Sequence, residues 1–419
     1  MSLLNTSMHD LNSILWRARV RFSLLLVILI WLFGSDTYAP STAMFHAADK
    51  PNSALSWYYR APHHISFAQL NEQSLRHLAA NDVAGAQLHL ALQLIDDTAY
   101  KSARVYWQRA LMQANQSVTD DVWRRLANVL VEHKQWHSLS ALQQHNKLTD
   151  RARWHWRFVQ GFDVDNRAQD YAQELGFNLS LESAQADVCP YNILLLGDSL
   201  KAMNRLDELK QRYEQHPLPQ SGLICLSTPY YVADELNCGI DERNFSRCDW
   251  RALASQSERF PKGFDFIVMM TRSGLANVQS GVMQLSTQAK YHTFVHELMH
   301  FAGFIDEYQA PIEQQDYCQQ QGRIFANLYV GDNPPQAWVK SPYCANGRGY
   351  KPAAYTSVME HSEVAVSPQY KRLWQAQLGE PEQLLYFNDL FYALSGDNAW
   401  QNYRKTDGVE QNASMAAMW

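Results

Sequence analysis

Residues 291–300 read YHTFVHELMH, and within them His296-Glu297-Leu298-Met299-His300 forms an H-E-x-x-H motif. On a helix, positions four apart stack on one face, so His296 and His300 can direct two imidazoles at one ion. Glu297 sits beside the first of them, within reach of the position that a catalytic zinc leaves open for water. Zinc held by three protein ligands lowers the pKa of its water to about 7. A carboxylate placed there can take that proton as the oxygen attacks a carbonyl, then pass it to a leaving amine. The chemistry is hydrolysis, with Glu297 as general base and zinc as the only cofactor implied.

Five residues are a short pattern, and the neighbours carry more weight. Phe294, Leu298, Phe301 and Ala302 give the helix an apolar face, and Gly303 supplies a stop. Asp306 falls six residues after His300, extending the motif to H-E-x-x-H-x-x-G-x-x-D. A chain turned sharply at glycine can bring that residue back to the metal, and a carboxylate oxygen is an acceptable zinc ligand. Glu307 is the alternative third ligand, one position out of register. Downstream, Ser357-Val358-Met359-Glu360-His361 fits a methionine turn beneath such a site, although core filling is the ordinary use of Met. Tyr308, Tyr355 and His361 are candidates to stabilise a developing oxyanion or to support the ligands. His292, one turn back on the ligand face, reads as a solvated first-turn residue, because catalytic zinc keeps a position open.

Residues 296–308, closing on Asp306-Glu307-Tyr308, resemble the signature of the metzincin-type IgA-peptidase family of bacterial metallopeptidases, H-E-x-x-H-x-x-G-x-x-D-E-Y. An apolar strand ending in Gly197-Asp198 is similar to the start of that family's catalytic domain, and the resemblance covers roughly residues 190–375. It implies a zinc peptidase domain with His296, His300 and Asp306 as ligands, Glu297 as base and Met359 as the turn residue. It also implies that the strand near residues 280–284 pairs with an extended substrate. The sequence lacks a tight Gly-Gly stretch before the motif, and substrate preference does not carry across.

The elements that must position these residues lie on both sides. Residues 192–196 form an apolar run, 199–213 an amphipathic helix, 223–232, 264–270 and 276–285 further strands, with 249–259 helical between them. That alternation predicts an α/β layer with a mostly parallel sheet. Before it, residues 65–185 are helical in pattern, with Leu70, Leu75, Leu78, Leu88, Leu92 and Ile95 at helical spacing. Ala103, Trp107 and Ala110, then Trp123, Leu126, Ala127, Leu130, Trp136 and Leu139, loosely resemble tetratricopeptide-type helical hairpins, and a plain bundle needs the same small residues. The expected organisation is an export signal or signal-anchor over 1–34, a linker over 35–64, a helical domain over 65–185, a metallopeptidase domain over 186–405 and a tail over 406–419.

Export follows from two features. Arg17, Arg19 and Arg21 precede an apolar run over residues 22–33, the layout of a secretory signal, with Ser41-Thr42-Ala43 as a late cleavage candidate and membrane anchoring as the alternative. Six cysteines, all after residue 188, suit an oxidising compartment such as the periplasm or the medium. Six allow 15 pairings; neighbours in sequence are the simple choice, Cys189 with Cys225, Cys238 with Cys248 and Cys318 with Cys344. A net charge of −6 argues against nucleic acid as partner. The expected activity is an exported zinc endopeptidase acting on protein or peptide. The alternatives are a helical partner-binding protein with an idle metal site and a zinc amidase acting on cell-wall peptides.

Overall fold

The computed structural model describes residues 51–113 and 118–403; the expected export signal, its cleavage candidate and the tail lie outside them. No helix among the described residues is long and apolar enough to cross a membrane. A helical region spans residues 51–183 and is followed by a mixed α/β region with a parallel sheet.

The helical region begins earlier than its composition implied. Residues 35–64 read as a linker, yet α1 (Pro51–Arg60) is a helix from the first described residue. Proline is tolerated there because the first turn of a helix needs no N–H donor. Next come α2 (Glu72–Ala80), α3 (Ala84–Asp96), α4 (Tyr100–Met112), α5 (Asp120–Glu132) and α6 (Trp136–Gln144). The small and aromatic residues picked out by spacing are the buried ones: Ala103, Trp107 and Ala110 on α4, Trp123, Leu126, Ala127 and Leu130 on α5. Successive helices pack as neighbours, α3 against both α2 and α4, and α5 against α6.

Contacts divide the described chain into two compact units at Ala152 and Arg153, inside α7 (Asp150–Gln160). Most of α7 and all of α8 (Gln169–Glu174) therefore group with the second unit. Aromatic packing accounts for this. Phe158 meets Phe177 and Tyr231 with ring centroids 5.5 and 5.8 Å away, and the Tyr231 hydroxyl donates to the Phe162 carbonyl at 2.7 Å.

The second unit is built on a sheet. Strand β1 (Tyr191–Gly197) is central, flanked in parallel by β2 (Ile224–Leu226), the short β3 (Tyr230–Tyr231) and β6 (Phe266–Thr271). A small antiparallel pair, β4 (Gly239–Ile240) and β5 (Ser246–Arg247), lies between β3 and β6 in sequence. Beyond β6 come β8 (Val282–Ser286), parallel, and β7 (Asn277–Gln279), antiparallel at the edge. The single strand expected over 276–285 is thus a hairpin. Ser280 and Gly281 form its two-residue turn with φ of 45° and 74°. Residues paired across it, such as Val278 and Met283, share a face although an odd number apart, so the alternation slips by one residue at the turn.

Both faces of the sheet are covered, as the unbroken apolar run of β1 requires. Ile193 and Leu195 with Val268 and Met270 face α9 (Leu200–Gln215) and α11 (Tyr291–Phe301). Leu194, Leu196, Ile267 and Met269 face the opposite layer. That layer holds α10 (Arg251–Ala254), α13 (Phe387–Ser395) and α14 (Asn398–Asn402). After α11, the strands β9 (Gly322–Phe325), β10 (Leu328–Val330), β11 (Val339–Lys340) and β12 (Gly349–Lys351) form a second antiparallel sheet, and α12 (Pro368–Leu378) returns to the main core. Disulfides join Cys189 to Cys225, Cys238 to Cys248 and Cys318 to Cys344, with no free cysteine. Three disulfides suggest an oxidising, extracytoplasmic location.

Candidate metal centre

Helix α11 carries the H-E-x-x-H motif and is pinned by its other face. Phe301 stacks on Phe266 at 4.4 Å, and Phe294 meets Tyr213 edge-on at 6.3 Å. Burying such side chains stabilises by about 1.5–3 kcal/mol each. Arg205 on α9 fixes the entry to the helix, donating through Nε and Nη2 to the Ala289 carbonyl at 3.0 and 2.7 Å.

The helix ends where the metal motif needs it to. Gly303 adopts φ 71°, the Gly303 N–H bonds to the His300 carbonyl at 3.0 Å, and the Phe304 N–H bonds to the Met299 carbonyl at 3.3 Å. This is a Schellman termination, which a left-handed residue completes and which glycine enters without steric cost. It turns the chain so that the Phe304 carbonyl faces back to accept from His300 Nδ1 at 2.8 Å.

His296, His300 and Asp306 come together as the spacing predicts, with ligand atoms all within 4.8 Å of one another. This partly buried group could bind a metal. His296 Nε2 is 3.2 Å from His300 Nε2, and Asp306 Oδ1 is 3.1 and 3.6 Å from those two nitrogens. His296 Nδ1 donates to the Val358 carbonyl at 2.8 Å, as His300 Nδ1 does to Phe304. These carbonyl partners assign the proton of each neutral ring to Nδ1 and leave both Nε2 lone pairs facing Asp306. Asp306 Oδ1 is buried, with no hydrogen-bond donor among the described residues. Three converging electron-rich atoms repel unless a cation or a proton lies between them. Tetrahedral zinc with ligands at about 2.0–2.2 Å sets neighbouring ligand atoms roughly 3.3–3.6 Å apart, close to the spacing found. The donor set fits zinc.

The electrostatics of the metal-free group point the same way. Burial opposes charge on His300, but the Asp306 carboxylate, the charge of Glu297 and the Phe304 carbonyl outweigh it and push its pKa up to about 9. Burial likewise opposes charge on Asp306, and its two histidine neighbours overcome this, holding the carboxyl far below the usual range. Glu297 is buried, its Oε2 3.9 Å from His300 Nε2, and burial raises its pKa despite the two imidazoles.

The remaining candidates separate. The Tyr308 hydroxyl donates to Asp306 Oδ2 at 2.5 Å, so it holds the third member of the group. Burial first, then the charge of Asp306, push its phenol well above the ordinary value and keep it a donor. Glu307, the alternative ligand, is turned away. It is 1% exposed and accepts from Asn327 Nδ2 at 2.9 Å, the Tyr370 hydroxyl at 2.5 Å and Ser357 Oγ at 2.6 Å. Met359 is fully buried, and its carbonyl accepts from the Glu307 N–H at 2.9 Å. The Ser357-Val358-Met359 turn thus lies against the site through the Val358 carbonyl. The Tyr355 hydroxyl donates to Ser367 Oγ at 2.7 Å, at the start of α12, and His361 is exposed. Neither has a described contact with the ligand group. His292 Nε2 lies 3.8 Å from Glu363 and stands outside the ligand set, as expected for a first-turn residue.

The expected substrate strand also needs correction. Residues 282–284 pair with β6 on one side and β7 on the other, so no edge is left there for a peptide. On this side the sheet ends at β7. Sequence reasoning missed Asn327 and Tyr370 altogether, as well as the Val358 and Phe304 carbonyls. A carbonyl acceptor carries no residue-type signal, and Asn327 lies 21 residues beyond Asp306 without a motif of its own. Compared with protein-family models and with curated proteins, the chain matches none.

Proposed function

We propose that this chain is an exported zinc-dependent metalloendopeptidase similar to the metzincin-type IgA-peptidase family. The observation that carries this reading is the convergence of His296 Nε2, His300 Nε2 and Asp306 Oδ1, which has no donor among the described residues, beside the Glu297 carboxylate. Zinc held there would acidify water and polarise a substrate carbonyl. His296 and His300 present their Nε2 atoms because their Nδ1 protons are spent on the Val358 and Phe304 carbonyls, which also lock the ring planes. Glu297 takes the proton of the attacking water on its carboxylate and returns it to the leaving amine. Burial raises its pKa above the ordinary carboxylate value, which makes it the stronger base. The edge strand β7 offers unpaired backbone groups that an extended peptide can join as an added strand. Three disulfides support export, to the periplasm or the medium, with an inner-membrane tether by residues 22–33 as the anchored form.

The test is cleavage of an unfolded protein substrate by the zinc-loaded chain and by Glu297→Gln. The variant should keep its zinc and lose about 100-fold or more in rate, the usual contribution of a general base. Undiminished cleavage by Glu297→Gln would remove the mechanism.

A further inference from the structure

We propose that Asn327 and Glu307 form a buried clamp that positions two of the metal ligands, Asp306 and His296, and so sets metal affinity. This rests on the reading that His296, His300 and Asp306 hold the ion.

Asp306 sits on a segment without regular secondary structure, and its flanking residues are both gripped from the side. Asn327, fully buried, accepts from the Ile305 N–H at 2.9 Å through Oδ1 and donates to the Ile305 carbonyl at 2.7 Å through Nδ2. The same Nδ2 donates to Glu307 Oε1 at 2.9 Å. One amide therefore brackets the ligand at the positions immediately before and after it. An asparagine side chain can pair with a backbone N–H and C=O together, as a strand neighbour would, and here it substitutes for a sheet.

Glu307 extends the clamp to the second ligand. Its N–H donates to the Met359 carbonyl, and its Oε2 accepts from Ser357 Oγ at 2.6 Å. Ser357 Oγ in turn accepts from the Met359 N–H at 3.1 Å. The residue between them, Val358, supplies the carbonyl that receives His296 Nδ1. Tyr370 from α12 completes the Glu307 Oε1 shell. One buried cation is shared between two carboxylates: Lys351 Nζ lies 3.6 Å from Glu307 Oε2 and 2.7 Å from Glu360 Oε2. A buried carboxylate with this many donors is costly to assemble and has few alternative positions, so it fixes the atoms around it. The consequence is a coupled pair. The loop bearing Asp306 and the turn bearing the acceptor of His296 cannot shift independently, because Glu307 joins them through both its N–H and its side chain.

A purely structural role for these residues would lower stability and leave the ion's affinity alone. The two are separated by measuring zinc affinity by chelator competition, and metal-free melting temperature, on the full chain. The set is wild type, Asn327→Ala, Glu307→Ala, Glu307→Gln, Tyr370→Phe and a control, Phe391→Leu, in the layer on the far side of the sheet. Outer-shell partners of metal ligands are worth about 10–100-fold in affinity. We expect Asn327→Ala and Glu307→Ala to weaken zinc by that factor, Glu307→Gln by less because its amide keeps part of the shell, and Phe391→Leu to melt earlier with unchanged affinity. Should Asn327→Ala or Glu307→Ala fail to fold, Tyr370→Phe removes a single hydroxyl and is expected to weaken zinc several-fold. Clamp variants that hold zinc within twofold of wild type overturn the proposal, as does a control that weakens zinc as much as they do. Wild type that takes up no zinc overturns the metal reading itself, a different result from a clamp that does not matter.

Discussion

Gly303 separates backbone strain from side-chain packing in a way that can be measured. Its φ of 71° is left-handed, and a Cβ built on it meets nothing within 4 Å. Gly303→Ala therefore costs only conformational strain, about 1–2 kcal/mol for an L-residue in that region. Alanine's narrower unfolded ensemble offsets about 0.5 kcal/mol, leaving roughly 1 kcal/mol. Gly281 is the contrast, with a similar φ of 74° but a different setting. A Cβ there would meet the backbone nitrogen of Phe387 and the carbonyl carbon of Tyr386, closer than side chains ever pack. Strain and overpacking add for Gly281→Ala, to about 2–5 kcal/mol. Urea unfolding followed by the near-UV aromatic signal reads the difference. With a slope of about 3 kcal/mol/M, Gly303→Ala should lower the midpoint by roughly 0.3 M and Gly281→Ala by about 0.7 M or more. Because 1 kcal/mol is too little to unseat the Schellman turn, Gly303→Ala should still place the Phe304 carbonyl against His300 and bind zinc. Equal losses in the two variants, or an unchanged midpoint for Gly303→Ala, would refute the argument.

Two further outcomes follow from the site. In the metal-free protein the raised pKa of His300, about 9, means that one proton occupies the group at neutral pH. Zinc binding at pH 7.5 should expel about one proton, read by calorimetry in buffers of different ionisation enthalpy, and affinity should fall about tenfold per pH unit below 9; no proton release would contradict this. The same shift has a stability sign: the contribution of His300 to the metal-free fold is complete below about pH 6.5 and is lost as pH rises through 9. Tyr308→Phe removes the only described donor to Asp306 Oδ2, and zinc affinity measured by chelator competition should drop about tenfold; an unchanged affinity would mean that Tyr308 does not support the ligand.

Much of the centre was legible because it is local. The four-residue step from His296 to His300 and the glycine three residues on fix the direction of Asp306 through helix geometry and one turn. The β1 run and the helix after it were legible for the same reason, since burial on both faces leaves an unbroken apolar stretch. The hairpin at Ser280-Gly281 was legible in two signals not used, the Ser-Gly pair and the one-residue slip in alternation between Val278 and Met283. Helix α1 was hidden by Pro51 and small residues that read as linker, although proline opens helices readily. By its position in the motif alone, Glu307 reads as an alternative ligand. Its partners stand at residues 327, 357 and 370, a set that only the folded chain assembles.

The central claim is that one ion is held by two imidazoles from α11 and the Asp306 carboxylate. Crystals of the zinc-loaded protein, measured at the zinc absorption edge, test it directly. The account predicts a single strong anomalous peak about 2.0–2.2 Å from His296 Nε2, His300 Nε2 and an Asp306 oxygen. A peak bound elsewhere, or a structure in which Asp306 points away and Glu307 takes its place, would contradict it.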